Sequence, residues 1–487
     1  MSKEILNLEP KEVWKYFYEL TQIPRPSKKE GKVIEFMRKF GEDLGLKTIV
    51  DEVGNVIIRK PATPGMETKK RVILQGHLDM VPQKNSDVEH DFEKDPIDAY
   101  VDGEWVTARG TTLGADNGIG VAAAMAVLAS KDIQHGPLEA LFTIDEETGM
   151  TGAFGLKPGI LEGEILINMD SEDEGELYVG CAGGTNANLS FSYQEEKVPA
   201  DHMAYKVVLT GLKGGHSGID IALERGNANK LMNRILWKAT REYGLRVADV
   251  KGGDLRNAIP REAFATVTVP SDKEEDFVRY VKEMEKVLID ELGSVEPELK
   301  LETERTETPS SVMDEVSQAK ILAAVYASPH GVVRMSTDME GLVETSNNVS
   351  VVKMADGTFE ELCLLRSSVD TAKDDLKNVF SAIAHLAGGD ITFDGEYPGW
   401  KPNMNSEILR EMKEIYNHKF GQIPEIKAIH AGLECGLLGG VYPGLDMISF
   451  GPTIRYPHSP DEKVNIKTVK KFWEFLIETL KNISEKK

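Results

Sequence analysis

The chain has 487 residues, 41% apolar and 28% charged, which is the balance of a globular protein with room for a large core. Its formal net charge of −23, with no basic patch to offset it, argues against a nucleic-acid partner. The charged, amphipathic opening MSKEILNLEPKEVWKYFYEL has no secretory core, and the longest apolar stretch, Ile119 to Ala129, is too short to cross a bilayer.

Helices are expected at about 10–22 and 28–45, then strands near 47–51 and 55–59. A buried strand follows at 71–76, a helix at 117–130, and two short apolar strands at 138–144 and 164–169. Strands alternating with helices predict an α/β fold with a mostly parallel sheet and helices on both faces. From about 187 the pattern changes. Strands near 187–195 and 203–211 precede a helix at 220–243, and strands near 245–250 and 263–269 precede a helix at 272–292. A second half follows, with helix 313–328, strands 331–335, 348–355 and 360–366, helix 368–387 and strand 390–396. After Tyr397-Pro398-Gly399 the α/β texture returns, with helix 403–418, strands 425–430 and 445–450, and a long helix at 467–482. The organisation expected is a first domain of 1–186 and 398–487, interrupted by an α+β insert of 187–397 in two halves. The two flanking segments should meet in one sheet.

Five apolar runs end in groups that can do chemistry: His77 and Asp79 in QGHLDMVP, Asp116 in TTLGADNGIG, Glu146 and Glu147 in FTIDEETGM, Asp170 in INMDSEDEG, and His458 in RYPHSPDE. Positions i and i+2 of an extended chain point the same way, so His77 and Asp79 arrive side by side where a strand runs out. Open α/β sheets keep their chemistry at that edge. Adjacent carboxylates at Glu146 and Glu147 would repel strongly without a cation between them. Mixed His and carboxylate donors suit Zn²⁺, with Co²⁺ or Mn²⁺ as substitutes, and two His with three carboxylates would fill two adjacent metal positions. Each residue also has a plainer reading: Asp116 as a helix N-cap, Glu146-Glu147 as a solvated loop, His458 as a turn residue before Pro460. The three scattered cysteines, Cys181, Cys363 and Cys435, suit a reducing compartment and read as small buried hydrophobes.

The segments HLDMVP, GADNG, DEETGMTGA, MDSEDEGELYVGCAGG, GGHSG, LRNAIPRE, LLRSS and PHSPDE resemble the di-zinc exopeptidases that include aminoacylases and carboxypeptidases of the glutamate type. The likeness runs over nearly the whole chain. It implies two zinc ions, one held by His77, Asp116 and Asp170, the other by Asp116, Glu147 and His458, with Asp116 bridging and preceding a cis peptide to Asn117. It implies that Asp79 orients His77, and that Glu146 is the base for a metal-bridging water. It also implies that His216 stabilises the oxyanion, while Asn257 and Arg366 bind substrate, Arg366 suiting a C-terminal carboxylate. The insert then acts as a lid.

The activity expected is hydrolysis of unblocked dipeptides, Xaa-His dipeptides included, by a cytoplasmic enzyme with no nucleic-acid or membrane partner; a homodimer is left open. A deacylase of N-acyl amino acids or a tripeptidase would use the same groups, and a non-catalytic metal-binding protein is a further alternative. His430 and Glu434, at i and i+4, show no third partner and read as structural or substrate-facing. His90, His135, His202, His330, His385 and His418 read mostly as surface residues.

Overall fold

A computed structural model describes residues 3–486. Packing divides them into two units: the chain up to Gly180 with Pro402–Ala428 and Leu433 onward, and Cys181–Lys401 with Ile429–Gly432.

The first unit is built on an eight-stranded sheet. Its order is Lys47–Val50, Val56–Lys60, Leu138–Thr143, Val72–His77, Ile165–Asn168, Asp446–Ser449, Glu176–Cys181, Glu425–Ile429. The strands from Leu138–Thr143 to Asp446–Ser449 are parallel, while the pairings at Lys47–Val50, Val56–Lys60 and Glu176–Cys181 are antiparallel. All six residues of Val72–His77 and of Leu138–Thr143 are buried, as strands covered on both faces must be. The helix Ala115–Ala129 is apolar almost all round and buried along nearly its whole length, whereas Lys11–Thr21 buries only the stripe Val13, Trp14, Phe17, Leu20 and Thr21. Each fully buried Phe or Leu contributes roughly 1.5–3 kcal/mol to such packing. Asp446–Ser449 pairs in parallel with Ile165–Asn168, so the two segments on either side of the second unit do meet in one sheet.

The second unit centres on an antiparallel sheet with Lys300–Arg305, His202–Thr210, Ala263–Pro270, Arg246–Gly252, Val343–Ala355, Thr358–Ser367, Gly183–Ser192 and Asp390–Tyr397 in order, Gly331–Met335 pairing Val343–Ala355 off this path. Along His202–Thr210 the side chains of Tyr205, Val207 and Leu209 are buried while Lys206 is exposed. The buried face packs against residues of the helices Ala228–Tyr243, Glu274–Leu292, Glu315–Ala327 and Asp370–Ala387. Pairing of Lys251 with Lys353 and Gly252 with Val352 joins the two expected halves into one sheet. Residues 429–432 belong here because Ala182 N donates to the carbonyls of Ile429 and Ala431 at 3.1 and 3.0 Å.

The helix expected at 220–243 begins only at Ala228, where the Asn227 side chain caps Lys230 N; the glycine-rich stretch before it forms a loop and the short strand Gly215–His216. Among the described strands of four or more residues, four were not expected: Ala99–Asp102, Trp105–Ala108, Glu176–Cys181 and Lys300–Arg305. Each is four to six residues long and holds at most three apolar residues in a row, too few to stand out. Among the described residues no helix is long and apolar enough to cross a membrane, and the three cysteines are buried and form no disulfide among the described residues. His135 is fully buried rather than superficial, its Nδ1 2.7 Å from the Gly136 carbonyl.

Candidate metal centre and active site

The strand Val72–His77 delivers His77, 1% exposed, into a cluster of carboxylates. His77 Nδ1 lies 3.2 Å from Asp79 O and 3.4 Å from Asp79 Oδ1, and its Nε2 lies 3.1 Å from Asp116 Oδ1 and 3.3 Å from Asp170 Oδ1. Asp116 sits in the first turn of Ala115–Ala129, where the backbone at Asp116 and Asn117 departs from helical angles and the peptide between them is cis. Asp170 follows Asn168 at the end of its strand.

Asp79 does more than face His77. Its Oδ1 accepts from Glu146 N at 3.0 Å and its Oδ2 from Glu147 N at 3.2 Å and Ser27 Oγ at 2.8 Å. One carboxylate therefore fixes both the imidazole and the turn that carries the two glutamates. From that turn the side chains diverge. Glu147 Oε2 meets His458 Nε2 at 2.9 Å, and His458 Nε2 is also 3.3 Å from Asp116 Oδ2. Among the described residues no hydrogen bond or ion pair engages the Glu146 carboxylate.

Two sets of ligand-type atoms each lie within 4.8 Å of one another, His77 with Asp116 and Asp170, and Asp116 with Glu147 and His458; Asp116 belongs to both. The same residues make up the two ligand sets that the resemblance implies. His77, Glu146 and Glu147 form a third, overlapping group.

The electrostatics mark the cluster as short of positive charge. Burial pushes Asp170 up to about 8, with the charges of Asp116 and Glu434 adding to it against the pull of His77. Burial likewise lifts Glu146 well above the usual carboxylate range, opposed by His77 and reinforced by Asp170 and Glu434. Hydrogen bonds to Asp116 and Glu147 carry His458 up to about 11. Burial works against a charged His77, and Asp170, Asp116 and Asp79 outweigh it, so its net shift is upward. The two imidazoles stand where cations are needed. Asp170 Oδ1 is also buried with no hydrogen bond. Histidine and carboxylate donors with an unsatisfied oxygen fit a pair of divalent ions.

One residue gains a partner set that its sequence did not show. Glu434 is 1% exposed, and its Oε2 accepts from Gln75 Nε2 at 2.6 Å and Thr143 Oγ1 at 2.7 Å, while Oε1 is buried without a hydrogen bond. The signal available was the pair of polar residues, Gln75 and Thr143, interrupting otherwise apolar central strands.

In the second unit His216, Asn257 and Arg366 come together. His216 pairs with Ala258, Ser217 N donates to Asn257 O at 2.8 Å, and Ser217 Oγ lies 3.4 and 3.3 Å from Arg366 Nε and Nη2. His216 Nδ1 accepts from Gly218 N at 3.1 Å and Ile219 N at 3.0 Å, so the neutral ring carries its proton on Nε2, as a donor. Burial and then the Arg366 charge lower the His216 pKa, which favours that neutral form. Arg366 is 5% exposed and donates from Nη1 to Tyr397 OH at 3.0 Å; among the described residues no carboxylate pairs with it.

The chain belongs to peptidase family M20/M25/M40, whose model matches residues 73–482. It is a hydrolase acting on peptide bonds. More particularly, it is 48% identical over 483 residues to the cytosol non-specific dipeptidase of Escherichia coli, covering 99% of this chain and all of that one. It also matches the crystal structure of aminoacylhistidine dipeptidase from Vibrio alginolyticus at 49% identity and a TM-score of 0.95, covering 100% of this chain and 99% of that one. The aminopeptidase PepT of Bacillus cereus shares the fold at 15% identity and a TM-score of 0.57, over 98% of this chain and 99% of that one.

Proposed function

We propose that this protein is a cytosolic, zinc-dependent dipeptidase acting on unblocked dipeptides, Xaa-His dipeptides among them. The observation that carries the reading is that Asp116 belongs to two ligand sets while Glu146, beside them, keeps its carboxylate unengaged. The printed names of the two relatives near 50% identity point to the same activity.

In this reading His77, Asp116 and Asp170 hold one ion, and Asp116, Glu147 and His458 the other. When bound, such ions polarise the scissile carbonyl and bring a water's pKa close to neutrality. Glu146 accepts the proton of the attacking water and returns it to the amine nitrogen as the C–N bond breaks. Asp79 keeps His77 and the Glu146–Glu147 turn in register. His216 Nε2–H donates to the developing oxyanion, and Arg366, with Asn257 beside it, takes the substrate's C-terminal carboxylate. The free oxygen of Glu434 offers a counter-charge to an unblocked α-ammonium, which a deacylase of N-acyl amino acids would not need.

Hydrolysis of a panel of free dipeptides, tripeptides and N-acetyl amino acids after zinc reconstitution tests this. Free dipeptides should be cut at least ~10-fold faster than the others. Preference for N-acetyl amino acids would make the protein a deacylase, and no turnover with any substrate would leave a metal-binding protein only.

A further inference from the structure

Glu462 lies four residues beyond His458 and is 2% exposed, yet among the described residues no cation pairs with it. Its carboxylate is consumed by backbone. Oε2 accepts from Leu113 N at 2.7 Å and Gly114 N at 2.8 Å, and Oε1 accepts from Ala115 N at 2.8 Å and Asp116 N at 3.1 Å. Four successive amides can converge on one anion because Gly114 turns the chain at φ 70°, just where Ala115–Ala129 begins and its first N–H groups have no helical acceptor. The opposite side of the same turn is held by Arg25, which is buried and donates from Nη2 to Gly114 O at 2.5 Å and from Nη1 to Leu78 O and Asp79 O at 2.9 Å each. Glu462 is in turn anchored through its own backbone, its N donating to Ser459 O at 3.0 Å and its O accepting from Thr107 Oγ1 at 2.8 Å.

We infer that Glu462 is a positioning residue: it binds the turn carrying Asp116 to the segment carrying His458, and so sets how tightly the ion shared by Asp116, Glu147 and His458 is held. The inference rests on the ligand assignment proposed above. A carboxylate that merely stabilised the fold would have no reason to favour one ion over the other. Glu462 touches two of the three segments that supply that ion, those of Asp116 and His458, but only the shared Asp116 of the other set.

The test is a zinc titration of metal-free full-length protein against a chromophoric chelator, with Glu462→Gln and Glu462→Asp beside the unsubstituted chain. Glu462→Gln replaces an acceptor with an NH₂ group aimed at backbone N–H donors. Glu462→Asp keeps the charge but shortens the reach. Two ions are expected in the unsubstituted protein. Glu462→Gln should weaken one of them ~10–100-fold, the range seen when a group supporting a ligand is lost, and the other by at most a few-fold. Glu462→Asp should do the same more mildly, and it carries the comparison should Glu462→Gln not fold. In a His458→Ala background, where that ion is already compromised, Glu462→Gln should leave the remaining ion's affinity unchanged. Lower thermal stability with both affinities intact, or equal weakening of both ions, overturns this inference alone. Fewer than two ions in the unsubstituted protein overturns the ligand assignment and this inference with it.

Discussion

In the first unit, strand ends and the first turn of Ala115–Ala129 gather Asp116, Glu146, Glu147 and Asp170 around two imidazoles, and burial drives Glu146 and Asp170 toward their neutral forms. In the second, the buried guanidinium of Arg366 meets the hydroxyls of Ser217 and Tyr397 and no carboxylate among the described residues. Buried charge that is not paired is costly, and a fold tolerates it where a ligand will complete the pairing. The two regions are unbalanced in opposite directions. One is short of positive charge and the other of negative charge.

Stripping divalent ions should break the first half of this contrast with the largest effect. Activity should fall to background and return with zinc, and the melting temperature should drop, since a ligand at about 1,000 times its Kd contributes about 4 kcal/mol. Full activity after exhaustive chelation would remove the need for cations. Next in size is the separation of the two glutamates. Glu146→Gln should keep both ions and lose ~10²–10⁴ in kcat with KM near normal. Glu147→Gln should weaken one ion and recover partly with added zinc, because a ligand's loss answers to mass action and a missing proton acceptor does not. If metal analysis and rescue gave the opposite pattern, the roles would be exchanged.

The second half of the contrast is sharpened by Arg366→Met. A charged hydrogen bond is worth about 1.5–3 kcal/mol, so kcat/KM for free dipeptides should fall ~10–100-fold, while dipeptide amides, which lack the carboxylate, should be unaffected. Arg366→Lys should restore little, having no planar fork. An equal loss on amides would place Arg366 in the scaffold. The smallest effect concerns His430, which burial, then the nearby Arg366 charge, pushes down to about 3. Its folded pKa lies below the unfolded value of about 6.5, so its contribution is complete above that pH and is lost as pH falls toward 3. Denaturant titrations between pH 4 and 7 should show His430→Asn removing up to ~1.4 kcal/mol per pH unit from the slope. An unchanged slope would mean that His430 protonates freely.

The sheet of the first unit was legible because its central strands are mostly apolar, and His77, Glu146, Glu147 and Asp170 were legible because they lie at or just past the ends of such strands; Asp116, in the first turn of a helix, and His458, in a turn after the short strand Ile454–Arg455, carry no such signal. Asp79, too, was visible beside His77, though its grip on the amides of Glu146 and Glu147 was not. Glu462 and Glu434 were opaque for the same reason. Their partners are backbone amides, or a Gln and a Thr, placed about 290 to 360 residues earlier in the chain, and a carboxylate in PHSPDE or GLECG otherwise looks like a solvated turn. Strands such as Lys300–Arg305 were missed because their alternation is carried by one buried Leu301 among charged neighbours.

The parallel pairing of Asp446–Ser449 with Ile165–Asn168 has a consequence for how the chain is made. These partners are about 280 residues apart, so a ribosome adding ~5–20 residues per second leaves on the order of 14–56 s between them. During that interval the nascent first sheet presents Ile165, Leu166 and Ile167 along an open strand edge, the kind of edge that recruits foreign strands. Most of the second unit is contiguous and antiparallel, and it emerges whole within the same interval. Newly made protein is therefore most exposed to aggregation before its last 42 residues, which begin with Asp446, are translated.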